Sequence, residues 1–482
     1  MTNVAQRTSP PEREWLDQRA CERLLRHIDR ALARARSGGA PVLVSVTSTV
    51  ASETDPTAVV AASRRSGEPW FCLEQPDRDG SALAAIGSVR ALEARGPDRF
   101  ALTAKRWRAL AAAAIADDAD GPQGSGLVAV GGFAFAADGA GSPRWDGFEP
   151  ASLVVPDVSL ARKAGRVSLT LNLEVAPDDT REDLVARARR RLGELRRVPL
   201  PLLDPDPAGE YAVLSPMPPA HYEEAVASAV RRIRAGQLEK VVLARDVEVR
   251  APAPHDPAAI LAVLREAFSS SYVFAVGRGD ATFMAATPEL LIRREGQRAS
   301  TVALAGSIGR SADPAVDDHL GEQLLGSDKD REENAIVARR IVRTLAPHSV
   351  WVTAAPDPVV VRVANIQHLA TPIRAQLTTP IGAIELAGVL HPTPAVGAEP
   401  GELAWTLIPA LEGLDRGWYA GTVGWTDAVG DGEFCVALRC ALLRDRVAHL
   451  YAGGGIVRDS DPAAELAETE VKLQVMLPLL AG

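Results

Sequence analysis

Long apolar segments are missing from this sequence. Its 482 residues contain no uninterrupted run of the ~18–20 apolar residues that a membrane-spanning helix requires. The polar start, MTNVAQRTSPPEREW, has no apolar segment of the kind found in signal peptides. We therefore predict a loose tail at residues 1–12 and a cytoplasmic protein that does not bind membranes.

Cysteine and lysine are both rare. The four cysteines are Cys21, Cys72, Cys435 and Cys440. They form no CxxC pair and no Cys/His cluster with zinc spacing, so we interpret them as reduced structural thiols. The 53 basic residues include only five lysines, which are Lys105, Lys163, Lys240, Lys329 and Lys472. Because arginine stays protonated whereas a buried lysine can lose its proton, a retained lysine indicates a role that arginine cannot fill.

Excess positive charge and nucleotide-binding loops are also absent. The net charge is −9, from 53 basic and 62 acidic residues, which argues against a broad nucleic-acid-binding surface. No GxGxxG or GxxxxGK[ST] loop is present. Apolar residues make up 46% of the chain, enough for a large core. Two classes of function remain after these exclusions: a globular enzyme that acts on a small molecule, or a protein that binds one.

Strand and helix patterns are mixed along the whole chain. Apolar periodicity predicts strands near 41–48, 126–137, 166–175 and 240–249, and helices near 13–38, 181–196, 221–236, 316–345 and 462–480. Seven prolines between residues 199 and 220 indicate a connection there. We predict a large α+β fold with mostly antiparallel strands, an N-terminal half at 13–200 and a C-terminal half at 201–482.

Acidic residues at helical spacing are the first candidates for chemistry. Glu465, Glu468 and Lys472 share one face of the last predicted helix, because they are three and seven residues apart. Asp330 and Glu333 are three apart on an earlier helix. Two helices with paired carboxylates could hold a hard cation such as Mg²⁺, which takes oxygen ligands. A solvated helix face with charge pairs has the same spacing.

Two ionisable residues lie beside apolar strands. Lys240 opens the strand KVVLARDVEV, where a buried lysine would serve as a general base and an exposed one would only end the strand. Glu289 follows Pro288 in ATPELLI, where it would be either a general acid or an exposed turn carboxylate. The local pattern leaves both alternatives open.

Further polar candidates follow in the C-terminal part. His368, in ANIQHLATPI, is typical of a satisfied core histidine. Arg439, within the apolar strand FCVALRCALL, requires an anionic partner. Tyr419 lies in RGWYAGTVG. Gly453–Gly455 follow a strand, where their N–H groups would either cradle a carboxylate or form a flexible turn.

In this order, these segments resemble the chorismate-utilising enzyme family. The matching phrases, which span about residues 235–476, are EKVVLARDVEV, AATPELL, LAGS, SDKDREENAIV, NIQHLATPI, HPTPAVG, DRGWYAGTVGW, GEFCVALRCA and AGGGIVRDSDPAAELAETEVKL. GGFAFA at 131–136 extends the likeness, whereas residues before about 120 diverge. The resemblance implies two halves with large antiparallel sheets facing each other, helices outside, and the site in the C-terminal half.

The resemblance also implies roles for single residues. Lys240 matches the base that activates water, and Glu289 matches the acid that protonates the departing hydroxyl. The implied Mg²⁺ ligands are Glu333 and Glu468, with Asp330 and Glu465 beside them. The residues implied to contact the substrate are Gly306, Ser307, His368, Tyr419, Arg439, Gly453, Gly454, Gly455 and Lys472.

Within the family, the sequence is most similar to the isochorismate synthases. This likeness implies an Mg²⁺-dependent isomerase that adds water at ring carbon 2 of chorismate and loses the carbon-4 hydroxyl. Ammonia-using relatives lack a lysine at the position of Lys240 or carry a nucleophilic lysine where this chain has Ala305. No glutaminase segment and no GAPK phrase is present, so we expect a monomer without a glutaminase subunit.

Two other functions remain as alternatives. A salicylate synthase would form isochorismate and then expel pyruvate, and a non-catalytic protein would only bind chorismate. The phrases GEFCVALR and HPTPAVG favour isochorismate synthase, and no proposed catalytic group is missing. The chain departs from the common family pattern at Asn334, where many relatives have histidine, and at Ala398, where glycine is common. Menaquinone, siderophore and salicylate pathways would all use the product.

Overall fold

Residues 15–118, 120–204, 208–363, 366–378 and 380–481 are described by the computed structural model. The tail predicted at residues 1–12 lies outside the described residues. Within the described ranges, every helix is too short or too polar to cross a membrane.

The N-terminal segment alternates helices with strands. Its elements are α1 (Gln18–Gly38), β1 (Val42–Val50), α2 (Pro56–Ser63), β2 (Gly67–Gln75), β3 (Ser81–Ile86), β4 (Arg90–Ala94), α3 (Arg99–Ala113), β5 (Ile115–Ala116), β6 (Val128–Phe133), β7 (Ala151–Val155), β8 (Val158–Lys163), β9 (Arg166–Val175) and α4 (Arg181–Gly193). The strands predicted at 41–48 and 166–175 are therefore confirmed as β1 and β9.

The C-terminal segment continues the same alternation. Its first elements are β10 (Ala212–Leu214), α5 (Pro219–Arg234), β11 (Lys240–Arg250), α6 (Pro257–Ala267), β12 (Tyr272–Gly279), β13 (Ala281–Thr287), β14 (Leu290–Glu295), β15 (Arg298–Gly309), α7 (Pro314–Gly326), α8 (Asp328–Leu345), β16 (Ser349–Ala354), β17 (Val359–Arg362) and β18 (Ile366–Leu377). The remaining elements are α9 (Ala383–Leu390), β19 (Ala398–Glu399), α10 (Ala404–Glu412), β20 (Thr422–Asp427), β21 (Gly432–Val436), β22 (Cys440–Arg444), β23 (Val447–Ile456), α11 (Pro462–Leu473) and α12 (Leu477–Leu480).

Two large sheets organise these strands. The first sheet has 13 strands in the order β10-β11-β23-β22-β13-β12-β2-β3-β8-β9-β1-β5, with β19 beside β11. The second has 10 strands in the order β16-β18-β15-β14-β21-β20-β6-β7-β4, with β17 beside β18. All these pairs are antiparallel except β1 with β5, which confirms the predicted α+β fold.

Both sheets run through the two sequence halves without interruption. The first sheet passes from one half to the other between β12 and β2, and the second passes between β20 and β6. Strand order is mirrored about these pairs, so that β11, β12, β13, β22 and β23 correspond to β1, β2, β3, β8 and β9. The division into halves near residue 200 stays a prediction.

Apolar side chains fill two layers. One core lies between the sheets and contains Phe71, Phe133, Phe274, Phe283 and Trp418. A second core lies between the other face of the first sheet and helices α1, α2, α4 and α6. Helices α3, α8 and α9 pack on the second sheet. Each sheet therefore has one face toward the other sheet and helices outside, as predicted.

Two predicted helices are each divided in two. The helix expected over 316–345 breaks at Ser327, which ends α7 and then caps α8 by accepting a hydrogen bond from the Asp330 amide. The helix expected over 462–480 ends at Leu473, and a short helix follows from Leu477. The continuous apolar pattern concealed both breaks.

The predicted strand FCVALRCALL is wrong as a single element. β21 ends at Val436 in the second sheet, and β22 begins at Cys440 in the first sheet. Arg439 lies at the crossing, with φ of 53°. A crossing of the same kind joins β13 in the first sheet to β14 in the second through Pro288 and Glu289.

Candidate active site

The two crossings lie side by side and form one end of a cavity. The Val436 amide donates to the Glu289 carbonyl at 2.9 Å, and the Thr287 hydroxyl donates to the Val436 carbonyl at 2.7 Å. The cavity and the open solvent at its mouth together occupy about 660 Å³. Its polar side chains are Glu289, Ser307, Glu333, His368, Tyr419, Arg439, Tyr451, Glu468 and Lys472. Most of the predicted site residues therefore meet in one place.

Lys240 is fully buried beside this cavity. It is 0% exposed, and strand pairing of β11 with β19 and β23 fixes its backbone. Its Nζ lies 2.9 Å from Glu333 Oε1, in an orientation that forms an ion pair without a regular hydrogen bond. The exposed alternative for this lysine is excluded.

Glu289 is buried as well, and its carboxyl is a candidate proton donor. It is 4% exposed. Burial raises the pKa of Glu289 to about 8, although the positive charges of Lys240, Arg439 and Lys472 oppose this shift. The carboxyl is therefore mostly protonated at neutral pH, which is the state that an acid catalyst needs.

Three of the five lysines contact the predicted metal carboxylates. Besides Lys240 with Glu333, Lys329 Nζ lies 2.9 Å from Glu465 Oε1, and Lys472 Nζ lies 2.7 Å from Glu468 Oε1. The sequence-based candidates did not include Lys329. Its membership of the small lysine set was the signal that could have identified it.

The pKa values of Asp330, Glu465 and Glu468 shift in different directions. Burial raises the pKa of Asp330, and burial with the nearby Glu468 raises that of Glu465. Burial also acts to raise the pKa of Glu468, but Lys472 and the Ser307 hydroxyl, which donates to it at 2.5 Å, hold it at about 2. Glu468 thus stays ionised when its neighbours begin to protonate.

His368 and Arg439, which both line the cavity, contact each other. Arg439 Nη2 lies 3.2 Å from His368 Nε2. Burial and the Arg439 charge lower the pKa of His368 to about 3, so the imidazole is neutral and accepts this hydrogen bond. Arg439 Nη1 is buried and has no protein partner among the described residues. A guanidinium held this way at positive φ is suited to bind an anion.

Glycines let the carboxylates approach the first sheet. Gly453–Gly455 lie within β23, paired with Val242–Ala244 of β11, so the predicted loop with three free N–H groups is wrong. A Cβ on Gly455 would lie 2.0 Å from Glu333 Oε1, and one on Gly453 would lie 2.9 Å from the Tyr419 hydroxyl. Gly453 and Gly455 line the cavity, and their lack of side chains leaves this space open.

Aromatic rings connect this wall to the N-terminal segment. Tyr419 stacks on Tyr451 with ring centroids 5.2 Å apart, and Tyr451 stacks on Trp145 at 5.9 Å. Burial raises the pKa of Tyr419, so its hydroxyl remains a hydrogen-bond donor at neutral pH. The N-terminal segment therefore packs behind the site, and none of its described residues lines the cavity.

Glu333 and Glu468 have the carboxylate oxygens that a magnesium ion takes as ligands. Within the described ranges, no group of three or more His, Cys, Asp or Glu side chains is placed to hold a metal. Mg²⁺ in proteins commonly takes one or two carboxylates and completes its shell with water and substrate oxygens. Glu333 and Glu468, which both line the cavity, provide such a pair.

A family model described as "Chorismate binding enzyme" matches residues 30–481. The chain belongs to the chorismate-binding enzyme family. The salicylate biosynthesis isochorismate synthase of Pseudomonas aeruginosa is 36% identical over 457 residues, covering 94% of this chain and 93% of that protein. The isochorismate synthase MenF of Bacillus subtilis is 34% identical over 357 residues, covering 74% of this chain and 75% of that protein.

Structural comparison agrees with the family assignment. The menaquinone-specific isochorismate synthase MenF of Escherichia coli has a TM-score of 0.75 and 26% identity, and the match covers 96% of this chain and 100% of that chain. The predicted resemblance and the predicted chorismate-binding fold are both confirmed. The roles of single residues stay predictions.

We expect Gly455→Ala to destabilise the protein by about 1–3 kcal/mol, because the new methyl group would overlap the Glu333 carboxylate. The free energy of unfolding is measured in urea. Gly38→Ala is the matched control, since a Cβ there meets nothing within 4 Å. Equal stability of the wild type and Gly455→Ala would contradict the close approach of Glu333 to β23.

Proposed function

We propose that this protein is an isochorismate synthase that converts chorismate to isochorismate with Mg²⁺. The observation that carries the proposal is a buried lysine and a buried, protonated glutamic acid at one cavity, together with carboxylates on two helices. The names of the relatives, isochorismate synthases across most of this chain, support the same activity.

The reaction requires one proton acceptor and one proton donor. Water is a poor nucleophile, so Lys240 acts as the general base and its amine takes a proton as the water oxygen bonds to ring carbon 2. The ring double bonds shift, and the bond between carbon 4 and its hydroxyl breaks. Glu289 gives its proton to that hydroxyl, which leaves as water. One water enters and one leaves, with no oxidation or reduction.

The remaining residues hold a dianionic substrate. Arg439 has a guanidinium nitrogen without a partner among the described residues for one carboxylate, and Tyr419 lines the same cavity. Gly306 and Ser307 border the cavity near Glu468. Magnesium, held by Glu333 and Glu468 with Asp330 and Glu465 beside them, would neutralise the other carboxylate and fix the ring.

The product distinguishes this proposal from the alternatives. We expect the purified protein with chorismate and Mg²⁺ to give an equilibrium mixture of chorismate and isochorismate, separated by chromatography. EDTA should abolish conversion, and added Mg²⁺ should restore it. Salicylate with pyruvate would identify a salicylate synthase instead. No conversion by folded protein would leave a chorismate-binding protein.

The oligomeric state, location and partners stay predictions: we expect a monomer in the cytoplasm without a glutaminase subunit.

Lys240→Ala should lower kcat about 10²- to 10⁴-fold, because it removes the general base. Chorismate binding, measured by calorimetry, should remain detectable. Lys105→Ala is the matched control, since Lys105 is exposed on α3 and its loss should leave kcat unchanged. Full turnover by Lys240→Ala would show that another group activates the water.

Activity should fall as the pH rises through about 8. The acid must carry its proton, and burial raises the pKa of Glu289 to about 8, so the active fraction decreases above that pH. Glu289→Gln should lower kcat about 10²- to 10⁴-fold and remove this alkaline decline. If the residual activity of Glu289→Gln still declined at the same pH, the titrating group would be a different one.

A further inference from the structure

Strand β15 contains a bulge where it reaches the cavity. Its pairing with β18 runs to Leu304, opposite Ala370, and resumes at Ser307, opposite His368. Ala305 and Gly306 therefore face a single residue, Leu369. A bulge of this kind leaves backbone groups out of the ladder and redirects the strand.

The bulge is tightly constrained on its other side by helix α8. Gly306 has φ of 80°, and a Cβ there would lie 2.9 Å from Asp330 Cβ. Ser307, the next residue, donates a hydrogen bond to Glu468 at 2.5 Å. The bulge thus brings Gly306 and Ser307 between the two helices that carry the proposed magnesium ligands.

The carboxamide of Asn334 bonds to the carbonyl groups around this bulge. Asn334 is 2% exposed, and its Nδ2 donates to the carbonyls of Ala303 and Leu369 at 3.0 Å each, with Ala305 at 3.4 Å. Its Oδ1 accepts a hydrogen bond from the Thr371 hydroxyl at 2.6 Å. One side chain of α8 therefore contacts both the bulge in β15 and the opposite strand, β18.

We propose that Asn334 is a positioning residue that sets the distance between Glu333 and the Gly306–Ser307 bulge. Asn334 follows Glu333 directly in α8, so fixing its carboxamide to the sheet also fixes where the Glu333 carboxylate enters the cavity. Asn334 itself does not line the cavity. It acts through its neighbours on the binding of metal and substrate, and this inference rests on the proposed function.

The chemistry of the carboxamide is specific to this place. Its two N–H bonds supply three carbonyl groups, while its oxygen accepts from a hydroxyl. A carboxylate would have no donor for these carbonyls, and a leucine of similar volume would form none of these hydrogen bonds. An imidazole has one donor and one acceptor in its neutral form, so it could form only some of the hydrogen bonds that the carboxamide forms.

The test measures binding and turnover separately in Asn334→Leu, Asn334→His and Thr371→Val. We expect Asn334→Leu to raise the chorismate KM and the half-saturating Mg²⁺ concentration about 10- to 100-fold, with kcat within about threefold. Asn334→His should recover part of this loss, and Thr371→Val should show a smaller one. Calorimetric titration with Mg²⁺ in the presence of chorismate gives the metal affinity independently of turnover.

Ile341→Ala is the control for general destabilisation. Ile341 is 1% exposed on the same helix and lies about two turns beyond Asn334. It should lower the Tm and leave KM and Mg²⁺ affinity unchanged. Unchanged Mg²⁺ affinity in Asn334→Leu, or an equal change in Ile341→Ala, would overturn the inference.

Two further outcomes are distinguishable. If Asn334→Leu does not fold, Asn334→His and Thr371→Val decide the question, and wild-type affinities in both would overturn the inference. If the wild type forms no isochorismate, the proposed function fails, whereas the calorimetric comparison still tests whether Asn334 positions the metal carboxylate.

Discussion

Burial of many charges at the meeting point of the two sheets is the constraint on which this molecule depends. Two strand connections, through Glu289 and through Arg439, pass there from one sheet to the other. Buried charges are unfavourable unless they are paired. Lys240, Lys329 and Lys472 each contact one carboxylate. The Lys240–Glu333 pair joins β11 to α8, and the Lys329–Glu465 pair joins α8 to α11. Lys472 of α11 also donates to the Gly453 carbonyl of β23, so groups that form the site hold both helices against the first sheet.

The same environment gives carboxyl groups opposite properties within one cavity. Among the described residues no cation contacts Glu289, so burial dominates and its pKa rises to about 8. Glu468 is half-buried, and Lys472 and Ser307 contact it and hold its pKa at about 2. Groups whose pKa values are driven apart in this way commonly divide acid and anion-binding roles. In our proposal Glu289 donates a proton and Glu468 holds a cation.

Local sequence patterns predicted elements better than their connections. The alternation at 166–175 predicted β9, because successive side chains of a strand point to opposite faces whichever strands lie beside it. The crossing at Arg439 and the pairing of Gly453–Gly455 with β11 depend on residues far away in the chain. The family resemblance predicted most residues that line the cavity. Local spacing could not predict that residues so far apart in the sequence meet in one place. Lys329 and Asn334 were missed as site residues because their partners, Glu465 and the β15 bulge, are distant in sequence.

The mirrored strand order raises the question of why the cavity lies in the second half. The crossing from β7 to β8 corresponds to the one that carries Arg439, and Asp157 lies there. Asp157 is within 3.4 Å of Arg191, which also donates to Glu68 at 2.6 Å. The charge of Asp157 is thus neutralised by protein groups. At the equivalent place in the second half, Arg439 contacts only a neutral histidine through one nitrogen and keeps the other unpaired among the described residues. That unbalanced positive charge is what an anionic substrate would neutralise, so the asymmetry between the halves favours binding in the second.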